Sequence, residues 1–198
     1  MEIAVVQRPA EGETLCGDAY AVVRSGRSTL VAMADGLGHG PEAERAARAF
    51  CDHAGTAPGG SLESILESAD RAIAGTRGVV AALLRLDPPD HIEFAGVGNV
   101  VLRALSRTPI HALSVAGVLG RRSARRARSE RFAVEDGDLL VLHTDGVSLR
   151  YDLAPLRGEP ASRVARELLD VHGRAHDDAT CLVVRWGGGP LGAVEVEG

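Results

Sequence analysis

The sequence predicts an α+β domain in which mostly antiparallel sheets carry helices on their outer faces. Strand-like stretches occur in groups and do not alternate one for one with helices, as they would in a Rossmann fold. The chain has 198 residues, of which 45% are hydrophobic, and this is enough for one sizeable core. Because no repeat or linker interrupts the pattern, we expect a single domain over residues 1–186.

The first half of the chain predicts strands followed by helices. β-Branched and apolar residues concentrate at residues 3–6, 18–24 and 28–35, and Ser25-Gly26-Arg27 gives a hairpin signal between the last two stretches. Apolar residues recur at helical spacing over residues 42–53 and 62–74. Gly40-Pro41 provides a start for the first helix, and Ser61 caps the second.

The second half is rich in predicted strands. Runs bounded by Gly, Pro, Asn or Ser predict strands at residues 78–86, 92–97, 100–105, 110–115, 131–134 and 139–144. A helix is predicted at residues 161–171 and a last buried strand at 180–186. The Gly-rich residues 187–198 are expected to form a flexible tail.

Composition excludes several classes of function. A net charge of −5 argues against nucleic-acid binding. The three cysteines lack CxxC spacing, which is typical of reduced cysteines in a cytoplasmic protein. The N-terminus has no signal-peptide pattern, and no apolar run approaches the roughly 20 residues of a membrane helix. We therefore expect a cytoplasmic location and no membrane partner.

Acidic residues stand at the ends of predicted strands, beside glycine or a second acid. These positions are Asp18, Asp35, Asp145 and the pair Asp177-Asp178. Carboxylates that converge at strand ends would repel one another without cations between them, and hard divalent ions prefer such oxygen ligands. Taken singly, each Asp-Gly pair is more typical of a turn than of a ligand. The loop Gly36-Leu37-Gly38-His39-Gly40 lacks the Lys-Ser/Thr of a P-loop, which disfavours nucleotide binding.

The motifs in their order resemble a known family. Gly17-Asp18, Ala34-Asp35-Gly36-Leu37-Gly38-His39-Gly40, Gly96-Val97-Gly98-Asn99, Thr144-Asp145-Gly146 and Asp177-Asp178-Ala179-Thr180 are similar to the signature of metal-dependent protein phosphatases of the 2C type, in the SpoIIE-like branch. The resemblance covers residues 3–186. It implies a four-layer α/β/β/α sandwich of two mostly antiparallel sheets flanked by helices.

The same resemblance implies a site for two Mn²⁺ or Mg²⁺ ions. Asp35 would bridge the ions, with the Gly36 carbonyl on one of them, and Asp145 and Asp177 would hold the other. Asp18 would act mostly through water, and Asp178 would have a supporting role. The ions would activate a water for in-line attack on phosphorus, without a phosphoenzyme.

Histidines near these motifs have two interpretations each. His39 could donate a proton to the leaving serine or threonine oxygen, but a solvent-facing loop residue is the favoured interpretation. His176, adjacent to Asp177, is interpreted in the same way. His143 lies in an apolar strand and is expected to be a packed core histidine.

An arginine-rich stretch occupies the position of the family's variable flap. It runs over residues 121–128 and is most simply a solvated loop. A sharper hypothesis is that Arg122, Arg125 and Arg126 dock an acidic or phosphorylated protein partner.

The leading functional hypothesis is a phosphoserine/phosphothreonine protein phosphatase. Its compact length resembles family members that act on stressosome proteins, and this implies a STAS-domain substrate in a stress-response switch. An anti-anti-sigma protein is the near alternative as substrate. Two other classes stay open: a phosphatase-like module that binds a phosphorylated partner without turnover, and a structural domain whose Asp-Gly pairs are turns.

Overall fold

The structure is a computed structural model that describes residues 1–121, 127–187, 189, 191–192 and 194–197. Its strands, in chain order, are β1 (Glu2–Arg8), β2 (Asp18–Ser25), β3 (Ser28–Gly36), β4 (Val79–Asp87), β5 (His91–Val97), β6 (Val101–Leu105), β7 (Ser114–Val115), β8 (Glu130–Ala133), β9 (Leu139–His143), β10 (Ala179–Arg185) and β11 (Val194–Glu197). Its α-helices are α1 (Pro41–Gly55), α2 (Leu62–Ala72) and α3 (Ala161–His172), and Ala154–Leu156 form a 3-10 turn.

The strands form two sheets. The six-stranded sheet has the order β2-β3-β4-β5-β7, and β8 also pairs with β5. The five-stranded sheet has the order β11-β1-β10-β9-β6. The pairs are antiparallel except β1 with β11 and β5 with β7. The predicted mostly antiparallel arrangement is therefore confirmed.

Three layers of apolar side chains join the sheets and helices into the predicted four-layer sandwich. Helices α1 and α2 pack through Phe50 and Leu66 on the six-stranded sheet. Helix α3 packs on the outer face of the five-stranded sheet through residues such as Leu168. Between the sheets, Met33 from β3 and Leu182 from β10 belong to a common core. The central strands β3, β4, β9 and β10 are thus buried on both faces, which explains their nearly continuous apolar sequences.

Local signals account for the starts of α1 and α2. Pro41 lies in the first turn of α1, where its missing N–H costs no hydrogen bond, and Ser61 accepts a hydrogen bond from the Ser64 N–H at the start of α2. No helix in the described part of the chain is both long and apolar enough to cross a membrane.

Two elements differ from the sequence prediction. The strand predicted at residues 110–115 is wrong for most of its length, since only Ser114–Val115 pair with β5. Ile110 and Ala112 instead pack as irregular chain against the core between the sheets. Residues 194–197, within the predicted tail, form β11 and pair parallel with β1. Nothing in the local Gly-rich pattern indicated this long-range pairing.

Candidate metal centre

Strand alternation brings acidic residues to one end of the space between the sheets. In β3, Leu30, Ala32 and Ala34 belong to the core under the helices, whereas Val31 and Met33 belong to the core between the sheets. Side chains alternate across a strand, so Asp35 continues the face of Met33. It therefore stands where the apolar core between the sheets ends.

Asp18 is the most deeply buried of the predicted acids. It pairs directly with Asp35 in the β2–β3 ladder and is 3% exposed. The Thr144 hydroxyl donates to Asp18 Oδ2 at 2.7 Å, while Asp18 Oδ1 is buried without a partner in the described part of the chain. Burial, with lesser repulsion from Asp178 and Asp145, raises the pKa of Asp18 to about 7.

Asp145 reaches the same region from the other sheet, just after β9. Its Oδ2 accepts a hydrogen bond of 2.8 Å from the Asn99 amide. Burial, followed by repulsion from Asp18, Asp145 and Asp177, raises the pKa of Asp35 far above its ordinary value of 3.8. The two sheets therefore bring carboxylates close enough to disfavour one another's ionisation.

A cavity of about 280 Å³ collects these groups. Its lining residues are Asp35, Leu37, Gly38, His39, Val80, Asn99, Asp145, His176 and Asp177. The predicted ligands Asp35, Asp145 and Asp177 thus share one pocket, and Asp18 lies behind it as the ladder partner of Asp35.

Asp177 and Asp178 are adjacent in sequence but have different environments. Asp177 faces the pocket, and burial together with repulsion from Asp145 raises its pKa. Asp178 is buried, and its Oδ1 accepts from the Ala10 N–H at 2.9 Å. This hydrogen bond ties the connection between β1 and β2 to the Asp177 loop.

Two glycines let the backbones around the pocket approach closely. A Cβ on Gly36 would lie 2.2 Å from the Ala43 carbonyl oxygen, and one on Gly146 would lie 1.9 Å from the Asp178 carbonyl oxygen. Both distances are impossible for real atoms, so any side chain here would push α1 or the Asp178 backbone away.

The histidines occupy different environments. His39 lines the pocket at its rim, where its exposed ring pairs through Nδ1 with Glu13 Oε1 at 2.6 Å. His176 also lines the pocket and is exposed. His143 is fully buried, and burial lowers its pKa. The prediction of a packed core histidine is confirmed for His143.

Sequence reasoning missed two polar contacts that organise the acids. Asn99 lies in a quoted motif, but its hydrogen bond to Asp145 joins residues 46 positions apart. Thr144 adjoins Asp145 in sequence, yet its hydroxyl contacts Asp18, 126 positions away. The position of Thr144 next to an acid and that of Asn99 after a Gly-rich turn were the available signals, but the partner of each depends on the tertiary structure.

The carboxylates of the pocket are suitable ligands for hard divalent cations. In the described part of the chain, however, no three His, Cys, Asp or Glu side chains already stand close enough together to hold an ion. Carboxylate oxygens are the ligands that Mg²⁺ and Mn²⁺ prefer. The unpartnered Asp18 oxygen and the raised pKa values show an excess of negative charge that bound cations would relieve.

Arg122, Arg125 and Arg126 lie outside the described residues.

Residues 25–187 match the family model described as Stage II sporulation protein E (SpoIIE). The phosphoserine phosphatase RsbX of Bacillus subtilis (strain 168) is 25% identical over 187 residues, which cover 92% of this chain and 94% of RsbX.

Solved structures give concordant matches. One described as "The bacterial stressosome: a modular system that has been adapted to control secondary messenger signaling" is 34% identical, with a TM-score of 0.87, and the match covers 92% of this chain and 97% of that one. RsbX in complex with magnesium has a TM-score of 0.79 at 25% identity, covering 90% and 92% of the two chains. The S. agalactiae serine/threonine phosphatase shares the fold, with a TM-score of 0.77 at 15% identity over 94% and 99% of the chains.

Proposed function

Because the chain belongs to the Stage II sporulation protein E family, we propose that it is a metal-dependent phosphoserine/phosphothreonine protein phosphatase. The predicted family, the predicted fold and the predicted enzyme class of protein phosphatase are confirmed by these matches. The metal ligands and the mechanism go beyond these matches and rest on the geometry of the pocket, whereas the substrate is proposed from the similarity to the relatives.

The convergence of acids from both sheets is the observation that supports the proposal. Asp35 comes from the six-stranded sheet. Asp145 follows β9 and Asp177 precedes β10, and both of these strands belong to the five-stranded sheet. We assign Asp35, the Gly36 carbonyl, Asp145 and Asp177 as ligands of two Mn²⁺ or Mg²⁺ ions, with Asp18 acting mostly through water. RsbX itself was solved with magnesium.

Bound ions would activate a water for attack on phosphorus and neutralise charge on the phosphoryl oxygens. The surrounding residues hold the acids for this role. Asn99 fixes the orientation of Asp145, and Thr144 fixes that of Asp18. Asp178 supports the Asp177 loop through the Ala10 amide. We propose that His39, whose Nδ1 pairs with Glu13 at the pocket rim, gives a proton to the leaving oxygen.

We further propose a substrate of stressosome type, a phosphorylated STAS-domain protein in the cytoplasm, with an anti-anti-sigma protein as the alternative. The support is the similarity to RsbX and to the stressosome-related structure, together with their matching lengths. The direct test is phosphate release from a STAS-domain protein phosphorylated by its own switch kinase, compared with an unrelated phosphoprotein. Equal rates on both would contradict this choice of substrate.

The enzyme itself is tested by Mn²⁺-dependent hydrolysis of p-nitrophenyl phosphate. Asp35→Asn and Asp145→Asn should each remove most of the activity, because both lose a charged ligand. Asp170→Asn on the exposed face of α3 changes charge equally and should retain full activity. Turnover that persists without divalent ions, or that survives Asp35→Asn, would overturn the proposal.

The same series separates the enzyme from a binding module. Such a module would bind Mn²⁺ and a phosphorylated partner in calorimetry but release no phosphate from any substrate.

A further inference from the structure

Arg77 is a cationic side chain beside the pocket, and it belongs to none of the motifs described above. It lies two residues before β4, at the end of the six-stranded sheet that carries Asp35. The β3–β4 ladder pairs Gly36 with Val79, and the Leu37 N–H then donates to the Gly78 carbonyl at 3.1 Å. The backbone of Arg77 is therefore a neighbour of the loop that follows Asp35.

The guanidinium lies against one wall of the pocket. A Cβ built on Gly38 would stand 2.8 Å from Arg77 Nη1, and Gly38 itself lines the cavity with Asp35 and Asp145. Gly38 has a φ of +88°, which favours glycine, and the missing side chain leaves room for the guanidinium. Arg77 is not itself among the residues that line the cavity, but its guanidinium lies against Gly38, which does line it.

The charge of Arg77 is unpaired within the described residues. Other arginines, such as Arg45, Arg48 and Arg85, form ion pairs with glutamates. The exposed Arg77 side chain makes no ion pair or hydrogen bond with any described residue. Its backbone is held, since Arg121 Nε donates to the Arg77 carbonyl at 2.7 Å. An anchored arginine whose side-chain donors have no partner among residues 1–121 and 127–187 is suited to an anionic ligand that enters from solvent.

We propose that Arg77 binds the phosphoryl group of the substrate at the mouth of the metal centre. Its planar guanidinium offers paired N–H donors that match two phosphoryl oxygens, and such charge-assisted hydrogen bonds are among the stronger ones in proteins. The pocket wall at Gly38 places this cation beside the carboxylates that are assigned to the ions. The inference rests on the proposed phosphatase function and adds a substrate-binding residue to it.

The test compares the Mn²⁺-loaded wild type with Arg77→Ala, Arg77→Lys and the control Arg71→Ala, which removes an exposed arginine from the end of α2. Arg77→Ala should lower kcat/KM about 10- to 100-fold for both p-nitrophenyl phosphate and a phosphoserine protein. Arg77→Lys should recover part of the loss, and Arg71→Ala should match wild type. A Mn²⁺-induced thermal shift equal to that of wild type would show that Arg77→Ala is folded and binds metal.

Calorimetric titration of inorganic phosphate gives a readout apart from turnover. Arg77→Ala should weaken phosphate binding by a factor similar to its loss in kcat/KM. Unchanged phosphate affinity and unchanged kinetics would overturn the role of Arg77 while leaving the phosphatase intact. A loss confined to the phosphoprotein would also overturn it, since Arg77 would then contact the polypeptide. Absence of turnover in the wild type would contradict the proposed function, and the phosphate titration would still test Arg77.

Discussion

Asp18 and Asp35 face each other as a directly paired position of the β2–β3 ladder, where like charges on adjacent strands are unfavourable. The pair closes one end of the core between the sheets, and Asp18 is only 3% exposed, so bulk solvent screens the repulsion little. Bound cations would turn this unfavourable pair into a ligand set.

Without metal, the protein should become less stable as the pH rises from about 4 to 7. Burial raises the pKa of Asp18 from 3.8 to about 7 and also raises that of Asp35. The folded protein keeps protons that the unfolded chain releases in this interval, so the free energy of unfolding falls with pH. Thermal denaturation in chelator should show Asp35→Asn gaining stability relative to wild type as the pH rises. Asp170→Asn is the control. The prediction would be contradicted if the stability difference between Asp35→Asn and wild type changed with pH no more than the difference between Asp170→Asn and wild type.

Divalent cations should reverse this pH trend. Metal competes with protons for the carboxylates, so the stabilisation by Mn²⁺ should grow between pH 5 and 8. At a free ion concentration of ~100 times Kd, one bound ion stabilises the folded state by about 2.7 kcal/mol. Differential scanning fluorimetry of wild type and Asp145→Asn measures the rise in melting temperature that Mn²⁺ causes. An equal rise in both proteins would contradict the prediction.

Asn99→Ala should weaken Mn²⁺ binding without unfolding the protein. The Asn99 amide donates to Asp145 Oδ2 at 2.8 Å, and loss of such an orienting contact typically costs about 10–100-fold in metal affinity. Titration calorimetry measures the affinity, and Ser106→Ala, just beyond the far end of β6, is the control. Equal affinity in Asn99→Ala and wild type would show that Asp145 is held by other contacts.

Thr144→Val should destabilise the fold by about 1–3 kcal/mol, because it removes a hydroxyl that serves two buried groups. This hydroxyl donates to Asp18 Oδ2 at 2.7 Å and accepts from the Thr180 N–H at 3.0 Å. Urea denaturation measures the loss. Thr144→Ser keeps the hydroxyl and should retain most of the stability, so a loss in Thr144→Ser as large as that in Thr144→Val would contradict the role of the hydroxyl.

Gly36→Ala should destabilise the protein by about 1–3 kcal/mol, since its methyl group would overlap the Ala43 carbonyl at 2.2 Å. The matched control is Gly55→Ala at the end of α1, where the nearest atom is a Val23 methyl carbon at 3.4 Å, an ordinary van der Waals distance. Chemical denaturation should show little loss for Gly55→Ala. A stable Gly36→Ala variant would mean that α1 can move away from the Asp35 loop.

The sequence by itself determined the class of fold, the helices and the positions of the acids at strand ends. Periodicity and caps are local, so residues 42–53 and 62–74 could be assigned close to the helices observed at Pro41–Gly55 and Leu62–Ala72. The acids were found through their glycine neighbours and the order of the motifs. Their proximity was only an expectation at that level.

Tertiary structure decided which groups meet. The pairing of Asp18 with Asp35, the contact of Asn99 with Asp145 and the position of Arg77 against Gly38 depend on strand register and on how two sheets face each other. Residues 194–197 became a strand for the same reason, since a pairing with β1 has no local signal. Hydrogen bonds between strands join residues far apart in the chain, so this information is absent from any short stretch of sequence.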